Sequence, residues 1–102
     1  MSNVRVKNMK GTSNQSPPSG YVSWLDYWER NKYQKALACS NVACKKRATT
    51  DLCGGHVQHF YGRGDSKGYI VPLCPSCNAK GRQDTEYYFD FYVSEDVLVP
   101  VP

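Results

Sequence analysis

Five cysteines constrain this chain more than anything else in it, because four of them form two close pairs. Cys39-Ser-Asn-Val-Ala-Cys44 and Cys74-Pro-Ser-Cys77 lie thirty residues apart, with Cys53-Gly-Gly-His56 between them. Paired soft ligands at this spacing point to one tetrahedral zinc site built from Cys39, Cys44, Cys74 and Cys77. Four thiolates fill the coordination sphere, so such a zinc is structural rather than catalytic. With 102 residues the chain has room for one modest core. In so small a domain the metal contributes much of the folding energy. Cys53, His56 and His59 are themselves ligand-spaced, which leaves open a partial second site. The alternative for Cys53 is a buried, unligated thiol.

An odd number of cysteines would leave one unpaired in a disulfide framework, and clustered cysteines in a reducing compartment bind metal more often than they pair. No apolar run approaches the roughly 20 residues that cross a bilayer. Residues 1–9 lack the apolar stretch of about 7–15 residues that marks a secretory signal. The expected location is cytoplasmic, with no membrane partner.

Taken in order, residues 1–20 read as an extended arm, since Thr12-Ser-Asn-Gln-Ser-Pro-Pro-Ser-Gly20 cannot bury apolar area. Residues 21–102 read as a single zinc-binding domain. Within it, 21–38 is an amphipathic helix: Ser23 is the N-cap, and Trp24, Leu25, Trp28 and then Ala36 or Leu37 make one apolar face. Residues 39–52 form a knuckle, and 53–72 a hairpin with a Gly-rich loop at 62–68, its second strand ended by Pro72. The pair Cys74/Cys77 sits where a short helix begins, a place where free backbone N–H groups can donate to sulfur. Tyr87-Tyr-Phe-Asp-Phe-Tyr-Val93 alternates as a strand, placing Phe89, Phe91 and Val93 on one face. The fold class expected is a small α+β zinc domain: a treble-clef core, an N-terminal amphipathic helix and a C-terminal aromatic strand.

Charge is segregated along the chain. Residues 1–82 hold all 13 Lys and Arg and four acids, a net +9, whereas 83–102 hold five acids and no cation, a net −5. A basic body favours an anionic partner. Lys45, Lys46, Arg47, Arg63, Lys67, Lys80 and Arg82 are the candidate phosphate contacts, and for the run Lys45-Lys46-Arg47 the alternative is a solvated face that also offsets thiolate charge. The acidic tail can mimic phosphate or meet a protein partner.

Gly-His56-Val, followed by Tyr-Ile-Val-Pro-Leu-Cys74-x2-Cys77-Asn78-x-Lys80, resembles the zinc-stabilised core of the HNH (ββα-metal) endonucleases, over residues 39–82. That resemblance implies nucleic acid, DNA foremost, as partner. It places His56 at the general base and Asn78 at the last position of the motif, where many members bind the catalytic ion. A second divalent ion such as Mg²⁺ would accompany any cleavage. The sequence departs from the pattern at Gly55, which stands where the family has an Asp or His ligand. Glycine offers no ligand atom. The expected function is nucleic-acid binding without efficient cleavage; the alternatives are a divergent nuclease using His56 and a protein-interaction zinc module.

Overall fold

In the computed structural model, residues 2–9, 16–44, 51–60, 68–79 and 90–102 are described. Five strands form one antiparallel sheet: β1 Asn3–Asn8, β2 Cys53–His59, β3 Tyr69–Leu73, β4 Asp90–Ser94 and β5 Val99–Pro100. Their order across the sheet is β4-β1-β2-β3-β5. Among the described residues two helices accompany it, α1 Trp24–Lys32 and α2 Pro75–Ala79, with a 3-10 turn at Glu95–Val97.

Residues 3–8 are not part of an arm. They lie inside the sheet, paired to β2 through Val6↔His59 and to β4 through Val4↔Val93 and Val6↔Phe91. The physical reason is the alternation Val4-Arg-Val6-Lys, which puts both valines on one face, and Val6 is fully buried.

Helix α1 begins as expected, with the Ser23 hydroxyl accepting from the Asp26 N–H at 3.0 Å. It ends six residues short of the expected 38. Tyr33 adopts φ 57°, a left-handed C-cap, and its N–H donates to the Glu29 carbonyl. Glu29 also accepts from Ala36 N–H through its carboxylate at 2.9 Å, holding the chain after the cap. Leu37 therefore leaves the apolar face and is exposed. Similarly, β3 runs through Pro72 instead of ending there. The Pro72 carbonyl points outward to accept Ser40 N–H at 2.8 Å, so its missing N–H also faces the outer edge and costs the sheet no bond.

The two sheet faces carry separate cores. One holds Val6, Val57, Val71, Leu73, Phe91 and Val93 together with Cys74 and Cys77. Phe91 and Val93 thus share a face as predicted; Phe89 lies outside the described residues. The other face holds Ile70 and Val99 beneath Tyr27 and Trp28 of α1. Trp28 Nε1 donates to Val97 O at 2.7 Å, and Tyr27 Oη to Pro100 O at 2.7 Å, which ties the helix to the last strand. Close approach of α1 to β2 requires Gly54. A Cβ there would stand 2.6 Å from the backbone of both Trp24 and Leu25.

The chain passes from the helix face, where Ala36 packs, to the opposite one, where Cys39 and Cys44 pack, and the segment 39–44 then bridges two strands. Ser40 N–H bonds to Pro72 O of β3 and Val42 N–H to Tyr92 O of β4. In a flat sheet those strands, three places apart, would be about 14 Å from each other. Two residues span about 7 Å, and the hydrogen bonds at their ends add 2.8 and 3.0 Å, so this short loop bridges the two strands. The knuckle thereby covers a backbone acceptor on each of β3 and β4.

Candidate metal centre

Cys39, Cys44, Cys74 and Cys77 converge on the face opposite α1, with all four Sγ atoms within 4.8 Å of one another. A tetrahedral ion with metal–sulfur bonds of ~2.3 Å needs sulfur–sulfur edges of about 3.8 Å. The Cys44–Cys74 separation of 3.9 Å matches that edge. The site therefore fits a metal ion held by four sulfurs.

Local structure explains how the long Cys39-x4-Cys44 spacing closes. The Asn41 carboxamide oxygen accepts Ala43 N–H at 2.9 Å, and the Asn41 carbonyl accepts Cys44 N–H at 2.9 Å, folding the two extra residues into a tight turn. The same Asn41 donates Nδ2–H to Cys77 Sγ at 3.5 Å, and Cys77 N–H donates to Cys74 Sγ at 3.4 Å. These donors compensate sulfur-borne charge and orient the ligands. On the far side, Asn8 of β1 donates to Cys77 O at 3.0 Å, so the first strand also braces α2. Burial pushes the Cys77 thiol up to about 12, with the Asn41 hydrogen bond opposing it, and burial likewise raises Cys39. Thiols this reluctant to ionise need a cation among them before they carry charge.

Cys53, His56 and His59 do not assemble into a second site. Register pairs Cys53 with Leu73 and His56 with Ile70, so residues 53 and 59 point to the cysteine face and 56 to the helix face. Cys53 Sγ instead lies 3.3 Å from Leu73 O, and His59 stacks edge-on to Tyr69. Among the described residues the four cysteines form the one cluster able to hold a metal.

His56 and Asn78 are likewise separated. His56 is only 7% exposed, with its ring 4.7 Å from that of Trp24 in an edge-to-face contact. Its Nε2 has no hydrogen-bond partner among the described residues. Asn78 is on the other side of the sheet, where its Oδ1 would be 2.9 Å from a Cβ on residue 55; that same Cβ would meet Leu73 Cδ1 at 2.5 Å. Gly55 is thus the residue that lets α2 and Leu73 close over β2. The structure does not bring the proposed base and the Asn together.

Desolvation lowers the His56 pKa, so the imidazole is held neutral. The unfolded chain binds a proton at this residue near pH 6.5 while the folded chain resists it. His56 thus contributes stability that is present above about pH 6.5 and lost as pH falls below it. We expect the stability of the wild type relative to His56→Phe to decline from pH 7 to 5, at no more than about 1.4 kcal/mol per pH unit. Parallel pH profiles for the two proteins in urea unfolding would contradict this.

All seven candidate phosphate contacts (Lys45, Lys46, Arg47, Arg63, Lys67, Lys80 and Arg82) lie outside the described residues. Two cations that the sequence pattern set aside as part of an arm, Arg5 and Lys7, are instead fixed in β1. Alternation with buried valines was the signal that could have placed them. Asp90 from the acidic end of the chain meets Arg5 at 2.6 Å. Glu95 and Asp96 are exposed.

Comparison with protein families, with curated proteins and with solved structures finds no match to this chain. What defines it is a small α+β fold with a five-stranded antiparallel sheet and a four-cysteine cluster. No helix among the described residues is long and apolar enough to cross a membrane.

Proposed function

We propose that this chain is a zinc-stabilised, HNH-like domain that binds nucleic acid without cutting it. The zinc assignment follows from donor chemistry: four soft sulfurs at tetrahedral spacing suit Zn²⁺ and leave no open position for a substrate. Treble-clef character is supported by the order of parts, in which the 39–44 knuckle, the β2–β3 hairpin and the start of α2 meet at the cluster.

The observation that carries the non-catalytic reading is the packing around Gly55. Hydrolysis of a phosphodiester by this class of site needs a hard-cation ligand at that position and a base reaching water beside it. The space where a ligand side chain would start is filled by Leu73 and Asn78, while His56 faces the other way beneath Trp24. The remaining chemistry is electrostatic attachment through the basic 1–82 portion of the chain, with phosphate contacts that weaken as salt rises.

Incubating supercoiled plasmid with the zinc-loaded protein and Mg²⁺, Mn²⁺ or Ni²⁺ tests this. No cleavage above the level of His56→Ala is expected with any of the three, alongside salt-sensitive binding in fluorescence anisotropy. Metal-dependent cleavage lost in His56→Ala would install the nuclease reading. Absence of both cleavage and binding would favour a protein partner.

A further inference from the structure

We infer that the C-terminal cap of α1, centred on Tyr33, is a stacking contact for an unpaired nucleotide. The inference rests on the reading that the domain binds nucleic acid, and it names a contact apart from the seven candidate cations. Tyr33 breaks a local rule. It occupies the left-handed position that ends the helix, at φ 57° and ψ 37°, where glycine is favoured and a tyrosine is strained. The fold gains no packing in return, because Tyr33 is 93% exposed. The cap itself uses backbone groups alone: the N–H groups of Tyr33 and Gln34 both donate to the Glu29 carbonyl, and a glycine would serve as well. A strained residue that the fold does not require is a mark of use at the surface.

The charge around the ring decides what it meets. Arg30-Asn-Lys-Tyr-Gln-Lys-Ala-Leu-Ala38 carries three cations and no acid. The carboxylates of α1 are turned to backbone donors, Asp26 to Val22 N–H at 3.2 Å and Glu29 to Ala36 N–H at 2.9 Å. The Glu29 side chain is 20% exposed, whereas that of Lys35, 3.8 Å away, is 86% exposed. An exposed pair at that distance is worth little, so Lys35 can turn to a phosphate. Arg30 lies over the Tyr21 ring and donates to the Gly20 carbonyl, while Lys32 bonds to the Asp96 carbonyl and stays with the acidic end of the chain. The C-terminal pole of a helix alone repels an anion; cations in and beyond the last turn reverse that sign.

An open ring set among cations suits a single strand, with a base on the ring and its phosphate on Lys35. A duplex hides its base faces and cannot use the ring. A protein interface needs a wider apolar core, and within residues 30–38 Leu37 is the one other large apolar side chain that is exposed. The backbone cap and the Glu29–Ala36 bond already hold the segment in place, so little ordering is lost on binding.

The test is fluorescence anisotropy of the zinc-loaded full chain with fluorescein-labelled oligothymidine of about a dozen nucleotides, beside a duplex of equal length and urea unfolding of the same samples. Tyr33→Gly is expected to weaken single-strand binding about ten-fold while raising the urea midpoint. Tyr33→Phe, which keeps the ring, should bind as the wild type does. A merely structural tyrosine would move stability alone. Lys35→Ala should make the slope of log K against log salt shallower by about 0.7. Wild-type affinity in Tyr33→Gly would overturn the contact while sparing the nucleic-acid reading. A Tyr33→Gly chain less stable than the wild type would overturn the strain on which the contact rests. Wild-type protein that binds neither single strand nor duplex would overturn both readings, and self-association lost in Tyr33→Gly, seen by sedimentation, would then give the cap to a second copy of the chain.

Discussion

Stripping the metal from this domain is expected to unfold it. Structural zinc in small domains contributes about 10–16 kcal/mol near neutral pH, which equals or exceeds the roughly 5–15 kcal/mol by which whole domains are stable. The geometry adds a particular reason. The 39–44 knuckle donates to two strands, through Ser40 to β3 and Val42 to the edge strand β4, and its ends are two of the four clustered cysteines. Without the ion, four clustered sulfurs lose their common partner, and the loop that bridges β3 and β4 is released. Excess chelator should therefore abolish the sheet signal in circular dichroism, and Cys77→Ser should leave the chain unfolded or unable to retain metal. Cys53→Ser is the control: its thiol lies 3.3 Å from Leu73 O and outside the cluster, so the midpoint should move by only a few degrees. A chelated chain with unchanged sheet content would show that packing alone holds the fold.

On the proposed HNH-like reading residue 55 is a ligand position, and placing a carboxylate there is expected to break the domain rather than activate it. In Gly55→Asp the new Cβ would lie 2.5 Å from Leu73 Cδ1 and 3.2 Å from its Cγ, and Leu73 is fully buried, so a core side chain must shift. Overpacking of this kind costs about 1–3 kcal/mol. The carboxylate beyond it would be desolvated beside the Asn78 oxygen, adding several kcal/mol more. Gly55→Ala isolates the first effect, and the difference between the two variants measures the second. Both should be read by urea unfolding of the metal-loaded protein. A stable Gly55→Asp that cleaves plasmid with Mg²⁺ would mean the site had only lost a ligand, and would return the nuclease reading.

The four-cysteine cluster was legible in the sequence because soft side chains at short spacing have few other uses in a small chain. The start of α1 was legible for a similar reason, since Ser23 and Asp26 carry capping chemistry in their own side chains. The end of α1 was not. It depends on Tyr33 adopting a left-handed backbone, which a tyrosine does not announce, and on Glu29 reaching forward to Ala36. Strand β1 was obscured by its neighbours: the polar Thr12–Gly20 stretch dominated the reading, although Val4 and Val6 alternate with Arg5 and Lys7. The role of His56 could not be read from motif position, because spacing in a strand gives the face of a side chain only relative to its neighbours. Tertiary structure decided it, by laying Trp24 against the imidazole. Gly55 was noticed in the sequence as a missing ligand. The structure gives the positive reason for it, a close approach of Leu73 and Asn78 to β2 that no larger residue allows.

The most direct measurement is native mass spectrometry of the chain purified without added metal. One zinc ion on a compact charge-state distribution is expected, retained in Cys53→Ser and absent from an unfolded Cys77→Ser. A compact, fully folded wild-type chain carrying no metal would contradict the view that the four-cysteine centre holds this domain together.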